Sequence, residues 1–291
     1  MNPSYQQIVD LFELCAPELA SVRTARKGRI GSTADESLEM GRLALGEGDF
    51  EEAIRHFREA IVQRGIDDPA IELDLGAAYE YGDMENQAQR QYARALELEL
   101  QGAEPLVGLA DLSKRSGQFR EAISRLEEAV RLEPANPHIR IKLADAHREA
   151  GERKRALAAA RGALIVKPDD SFVHFWIGDL LLEMGRYEDA LESLRAAIEL
   201  SPGDDYLFQR AAVAFWRVGR FDDALKAVRL ASDLDPDKHL YYGLLNRLLT
   251  ELGRADEARL EEERASKMDR YDRSVLDKTL ADMGIGSKAE R

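Results

Sequence analysis

Residues Ile177–Pro202 read IGDLLLEMGRYEDALESLRAAIELSP, and their punctuation recurs through most of the 291-residue chain. Gly185 within this stretch has counterparts at Gly117, Gly151, Gly219 and Gly253, each 34 residues from the next. Ala190 belongs to the series Ala122, Ala156, Ala190, Ala224 and Ala258, and Pro202 to the series Pro134, Pro168, Pro202 and Pro236, at the same interval. Three residue types locked to one period of that length mark a solenoid of repeated supersecondary units.

Working outward from this stretch gives seven registers. Each opens at a pair such as Met40-Gly41, Leu75-Gly76, Leu109-Ala110, Leu143-Ala144, Ile177-Gly178, Ala211-Ala212 or Leu245-Asn246. Twelve residues after the second member stands an alanine (Ala53, Ala88, Ala122, Ala156, Ala190, Ala224, Ala258), and seven further on another (Ala60, Ala95, Ala129, Ala163, Ala197, Ala231, Ala265). The reason is steric. Small residues at these places let two antiparallel helices approach closely, and larger ones such as Phe57, Tyr92, Leu126 and Leu194 fill the space that remains. The glycines end the first helix, where a left-handed φ is needed, and the prolines stop the second. Asn136, Asp170 and Asp205 are expected as N-caps, with Pro137 in a first helical turn.

These residues resemble the tetratricopeptide repeat, a 34-residue helix–turn–helix, and Ile177–Pro202 follows its consensus almost letter for letter. The resemblance implies an all-α, right-handed superhelical solenoid of about seven units, over residues 34–270. Departures are local: Gly82 stands one place early, and Arg270 replaces the last proline. Residues 1–33 do not carry the phrase. There Ile8, Leu11, Phe12 and Cys15 predict an amphipathic helix over Ser4–Cys15, followed by a basic joint containing Arg23, Arg26, Lys27 and Arg29. This arm reads as a cap on the first repeat or as a docking arm for a partner or a second copy. Residues 271–291 read as a C-terminal capping helix, with Leu276, Leu280 and Met283 on one face of roughly 272–283, and a polar tail from Gly284.

The totals exclude several classes. A formal net charge of −14 argues against general binding to a phosphate backbone. No run of about 18 apolar residues could span a membrane. The N-terminus has neither the basic start nor the apolar stretch of a signal peptide, so a cytoplasmic protein is the default. The single cysteine, Cys15, excludes an internal disulfide. The five histidines (His56, His138, His147, His174, His239) are scattered without metal-ligand spacing. No phosphate-cradling loop or nucleophile elbow is present. No catalytic residue, metal or cofactor is expected, and the reading is non-enzymatic.

In the resembled family the first helices line a concave groove that holds a peptide or protein partner. The inward places here are mostly acidic early (Asp35, Glu39, Arg42, Asp74, Glu80, Glu104) and mixed in the middle (Asp111, Lys114, Lys142, Asp145, Arg148). Late in the chain they are Phe172, Phe175, Trp176, Asp179, Tyr206, Arg210, Trp216, Leu240 and Arg247, with both tryptophans among them. Exposed Trp and Tyr beside Arg are hot-spot chemistry. Phe175 and Trp176 read equally as core packing between repeats. Tyr206 and Trp216 are favoured for the groove, because Phe208 and Phe215 are expected to take the core places. Lys142, Arg148 and Arg210 are expected to orient an acidic flank of the partner. The carboxylate clamp of co-chaperone members is not matched, since its places read Leu38, Arg42, Asp74, Glu104 and Gly108, or Ile141, Asp145, Trp176, Tyr206 and Arg210.

The fourth unit is set apart. His138–Lys167 carries eight cations against three carboxylates, and its second helix is alanine-rich. That stretch reads either as a patch steering an acidic peptide or as a solvated helix face paired at i,i+4. The function expected is an adaptor or scaffold holding a protein or peptide. The alternatives are a self-assembling homo-oligomer using the N-terminal arm, and an RNA binder, which the charge disfavours.

Overall fold

The computed structural model describes residues 33–98, 102–268 and 273–282. The expected N-terminal helix and basic joint, Met283 and the tail from Gly284 lie outside the described residues. Fifteen helices, and no strand, occur among the described residues. They are α1 (Ala34–Glu47), α2 (Phe50–Arg64), α3 (Pro69–Tyr81), α4 (Glu85–Leu98), α5 (Ala103–Arg115), α6 (Phe119–Leu132) and α7 (Pro137–Glu149). They continue as α8 (Arg153–Val166), α9 (Ser171–Glu183), α10 (Tyr187–Leu200), α11 (Asp205–Arg217), α12 (Phe221–Leu234), α13 (His239–Glu251), α14 (Ala255–Ser266) and α15 (Arg273–Asp282). The chain divides into two compact bodies at Ala150/Gly151, the first holding α1–α7 and the second α8–α15.

Local chemistry sets the helix boundaries. Gly48, Gly117, Gly151, Gly185, Gly219 and Gly253 all take φ between 71° and 78°. The second repeat shows what its early Gly82 costs: Asp83 falls in the left-handed place, at φ 57°. Asn136 and Asp170 cap as expected, accepting from the backbone N–H groups of His138 and Ile139 and of Val173. Asp205 does not. Asp204 caps α11 by accepting from the Tyr206 N–H, which leaves Asp205 as the first helical residue with its carboxylate free for another helix.

All fourteen alanines of the two series are buried. Each opening glycine is a contact surface: a Cβ on Gly41 would lie 2.6 Å from the Phe57 ring, on Gly76 2.6 Å from Tyr92, and on Gly178 2.8 Å from Leu194. The large side chain four residues after the first alanine therefore seats on the first helix of its own repeat. In the first body the core joins Phe57, Ile71, Leu75, Tyr79, Tyr92, Leu109 and Leu112. In the second, Trp216, Val228, Tyr241, Leu244 and Leu248 form a core that Leu276 and Leu280 of α15 complete.

Candidate partner-binding face

The first helices carry a repeated ion pair. The residue just after the opening pair of one repeat meets the residue two places before the second member of the next pair. Arg42 Nε donates to Asp74 at 2.8 Å, and Lys142 Nζ to Asp111 at 2.6 Å. Arg210 pairs with Asp179 at the same place. Asp111–Lys142 and Asp179–Arg210 are the same pair two repeats apart, and Arg42–Asp74 is that pair with its charges exchanged. Lys114 adds a further bridge to Asp145 at 2.5 Å and to Glu149 at 3.5 Å. Burial opposes the charge on Lys114, yet Asp145, Asp111 and Glu149 outweigh it and hold the ammonium above its usual pKa. Burial pushes the Asp74 carboxyl up against the opposing Arg42 hydrogen bond.

This ladder engages the cations expected to orient a partner's acidic flank. Lys142 and Arg210 are engaged between neighbouring repeats, and half-buried Arg148 also has a partner. Lys142 and Arg210 join repeat to repeat. Glu80 is likewise interior, not a groove acid: the Tyr92 hydroxyl donates to its Oε2 at 2.7 Å and Arg115 sits 3.2 Å from its Oε1. Burial raises the Glu80 carboxyl and also pushes the Tyr92 phenol far up, where the Glu80 charge acts in the same direction.

The two tryptophans are core residues. Trp216 is 4% exposed and meets Phe221 edge-on at 5.6 Å, while Phe208 and Phe215 are only partly buried around it. The expected assignment is therefore reversed. The indole is the buried member of the adjacent pair, and Phe215 lies half-buried under the Arg220 guanidinium, 4.7 Å from the ring centroid. Trp176 is 6% exposed, in keeping with the packing alternative.

What remains open is a cluster on the first turns of α9 and α11. Phe172 is 46% and Tyr206 42% exposed, with half-buried Phe175 between them. Its ring centroid lies 6.5 Å from Phe172 and 5.5 Å from Tyr206. Asp179 and Arg210 follow one helical turn further along the same two helices. Beside them Asp205 accepts from Lys238 Nζ at 2.6 Å and from the Tyr241 hydroxyl. Burial works against that carboxylate, but the two donors hold its pKa below the usual value. Sequence reasoning named Phe172, Phe175 and Tyr206 but not their contact, and it missed the charge complementarity. The fixed offset of the charged places between successive repeats was the signal for the latter.

No cluster of three metal-ligating side chains occurs among the described residues. No described helix is long and apolar enough to cross a membrane.

The helix pairs, the left-handed glycines and the buried alanine series define a helical-repeat solenoid of tetratricopeptide type. Family models for the tetratricopeptide repeat match residues 38–106, 107–171, 141–205 and 181–248, and the chain belongs to that family. No curated protein matches it in sequence. Among solved structures it is similar to MamA 41-end from Desulfovibrio magneticus RS-1, at 22% identity over 59% of this chain and 97% of that one, with a TM-score of 0.54. It is similar to YrrB, described as a TPR protein with an unusual peptide-binding site, at 24% identity over 64% and 95%, with a TM-score of 0.51. A chain of the APC/C hetero-tetramer Cut9-Hcn1 matches 83% of this chain and 46% of its own length at 17% identity, TM-score 0.58. These likenesses show the fold.

Proposed function

We propose that the protein is a non-enzymatic adaptor that holds a short apolar or aromatic segment of a partner protein on Phe172, Phe175 and Tyr206. The observation that carries this reading is the exposed aromatic cluster itself. Elsewhere on the described first helices aromatic side chains are buried or half-buried, whereas here two large rings remain open beside a third. Aromatic rings of this kind bury much area on binding at low cost in side-chain entropy. The Asp179–Arg210 pair fixes the neighbouring helices, so the rings stand on a prearranged surface. The peptide-binding description of YrrB suits this reading.

The test is a photo-reactive benzoylphenylalanine placed at Phe172 in cells of the source organism, with Val62 as an exposed position in the other body. A discrete adduct formed from position 172, absent from 62, identifies the partner. Binding of that purified partner should then weaken by about 1–3 kcal/mol with Phe172→Ala or Tyr206→Ala. Identical adducts from both positions, or unchanged affinity in both variants, would rule out this face.

A further inference from the structure

The second helices share a rule that one of them breaks. The first turns of α2, α4, α6, α10, α12 and α14 carry acidic residues: Glu51 and Glu52, Glu85, Glu121, Glu188 and Asp189, Asp222 and Asp223, Asp256 and Glu257. That is the sign a helix N-terminus favours. Helix α8, RKRALAAARGALIV, opens on Arg153, Lys154 and Arg155 and contains no acidic residue along its length. Like charges at this end oppose the helix dipole, so local stability does not account for them. An i,i+4-paired solvated face is also excluded within α8, because the helix supplies no carboxylate.

The pattern extends down the solvent face. Lys154, Ala158, Arg161 and Ile165 are all exposed, Ile165 by 84%, and they follow one another at helical spacing. Arg153 reaches Glu183 at 3.9 Å and Arg155 reaches Glu152 at 3.1 Å, but Lys154 and Arg161 have no ion pair among the described residues. The buried face of α8 is ordinary, with Ala156, Leu157, Ala160 and Ala163 turned inward. Next to the first turn lies an open depression of about 640 Å³ lined by Gly151, Glu152, Arg153, Lys154, Arg155, Glu183 and Met184, three cations against two carboxylates.

We propose that the solvent face of α8 docks an acidic helical segment of a partner protein. The fit is one of charge and relief. Lys154 and Arg161 are two turns apart, about 10.5 Å along the axis, so they match two carboxylates seven residues apart on a facing helix. Ala158 between them presents no bulk, which permits an interaxial distance of about 8 Å. Ile165 then meets an apolar side chain one turn beyond the second carboxylate. The surroundings set the length of the partner. The basic stretch His138–Lys167 is preceded by 23 acidic against 11 basic residues in 34–137, and followed by 26 against 18 in 168–291. Exposed charges act over roughly 8 Å in physiological salt, so a long nucleic acid would leave the patch and meet like charge. A short acidic helix would not.

The experiment uses the full chain and a fluorescein-labelled, Ala-rich helical peptide with Glu at i and i+7 and Leu at i+4 and i+11, read by anisotropy. The result expected is saturable binding, weakened about tenfold or more by K154E/R161E and by raising salt from about 50 to about 300 mM. The same peptide with Lys replacing both Glu should bind the reversed variant and not the wild type. Both side chains are exposed and unpaired, so thermal melting should be unchanged; K154Q/R161Q serves should the reversed variant fail to fold. Equal binding to wild type and either variant overturns the proposal. Tighter, patch-dependent binding of a single-stranded RNA than of the peptide overturns it in favour of nucleic acid. Self-association that depends on Lys154 and Arg161, without peptide binding, assigns the face to a second copy instead.

Discussion

Asp83 shows how a single residue carries the repeat's geometry. It holds the left-handed conformation that glycine takes in the other six repeats, at φ 57°. A side chain there costs roughly 1–2 kcal/mol, of which glycine's extra freedom in the unfolded chain gives back about 0.5–1. Asp83→Gly should therefore raise stability by about 0.5 kcal/mol in urea unfolding, and Gly117→Ala should lower it by about 1 kcal/mol. A destabilised Asp83→Gly would show that the aspartate makes a compensating contact. Asp205 gives the pH counterpart. Its folded pKa is depressed by the Lys238 and Tyr241 donors acting against burial. The stabilisation this supplies is complete above the unfolded value of about 3.9 and is lost as pH falls through the lower folded value. Lys238→Met with Tyr241→Phe should move the Asp205 carboxyl titration, followed by NMR, to higher pH and bring acid unfolding of α11–α13 in earlier. An unmoved titration would mean that those two donors do not govern it.

Between elements, the same place in successive repeats is filled by different chemistry to the same end. Tyr92 packs on Gly76 of its own repeat and on Gly108 of the next, where an added Cβ would lie 2.6 Å from the ring in both cases. Two repeats later the sizes are inverted: Ala160 occupies the place of Tyr92, and buried Trp176 the place of Gly108. By that register an indole from α9 stands opposite the alanine-rich α8. Trp176→Ala should cost about 3–5 kcal/mol, and Ala160→Leu about 1–3 kcal/mol from overpacking. If the two side chains share one space, the double variant should recover at least about 0.5 kcal/mol relative to the sum of the single losses, measured by denaturant unfolding. Strict additivity would place the indole elsewhere. Sequence reasoning saw the alanines of α8 and the exceptional Trp176 separately. Their complementarity needed the register of one helix against the next, which the Tyr92–Gly108 contact supplies.

For the whole molecule, the 34-residue period made the helix pairs, their turns and their alanine contacts legible, because each follows from backbone φ and close approach within one repeat. The candidate face was legible only in part, since exposure depends on which of two adjacent large side chains turns inward. Trp216 and Phe215 are neighbours in sequence, and periodicity alone does not choose between them. The same nearest-neighbour construction determines how damage travels. Each body's core is a succession of contacts between adjacent helix pairs, with no centre that every repeat shares, so stability is approximately a sum of local terms. In the second body, Leu276 and Leu280 of α15 close the face around Gly243 of α13, where an added Cβ would meet Leu276 at 2.6 Å. Leu276→Asp with Leu280→Asp should release α15 and leave Leu244 and Leu248 next to an open face. Hydrogen exchange should then report a loss of about 3 kcal/mol of protection in α13 and α14, on the scale of buried-leucine deletions. Protection in α1–α6 should stay within about 0.5 kcal/mol of wild type, as expected for distant, independent sites. A uniform loss across both bodies would show one cooperative unit in place of nearest-neighbour coupling, and the local accounting behind the other predictions would fail with it.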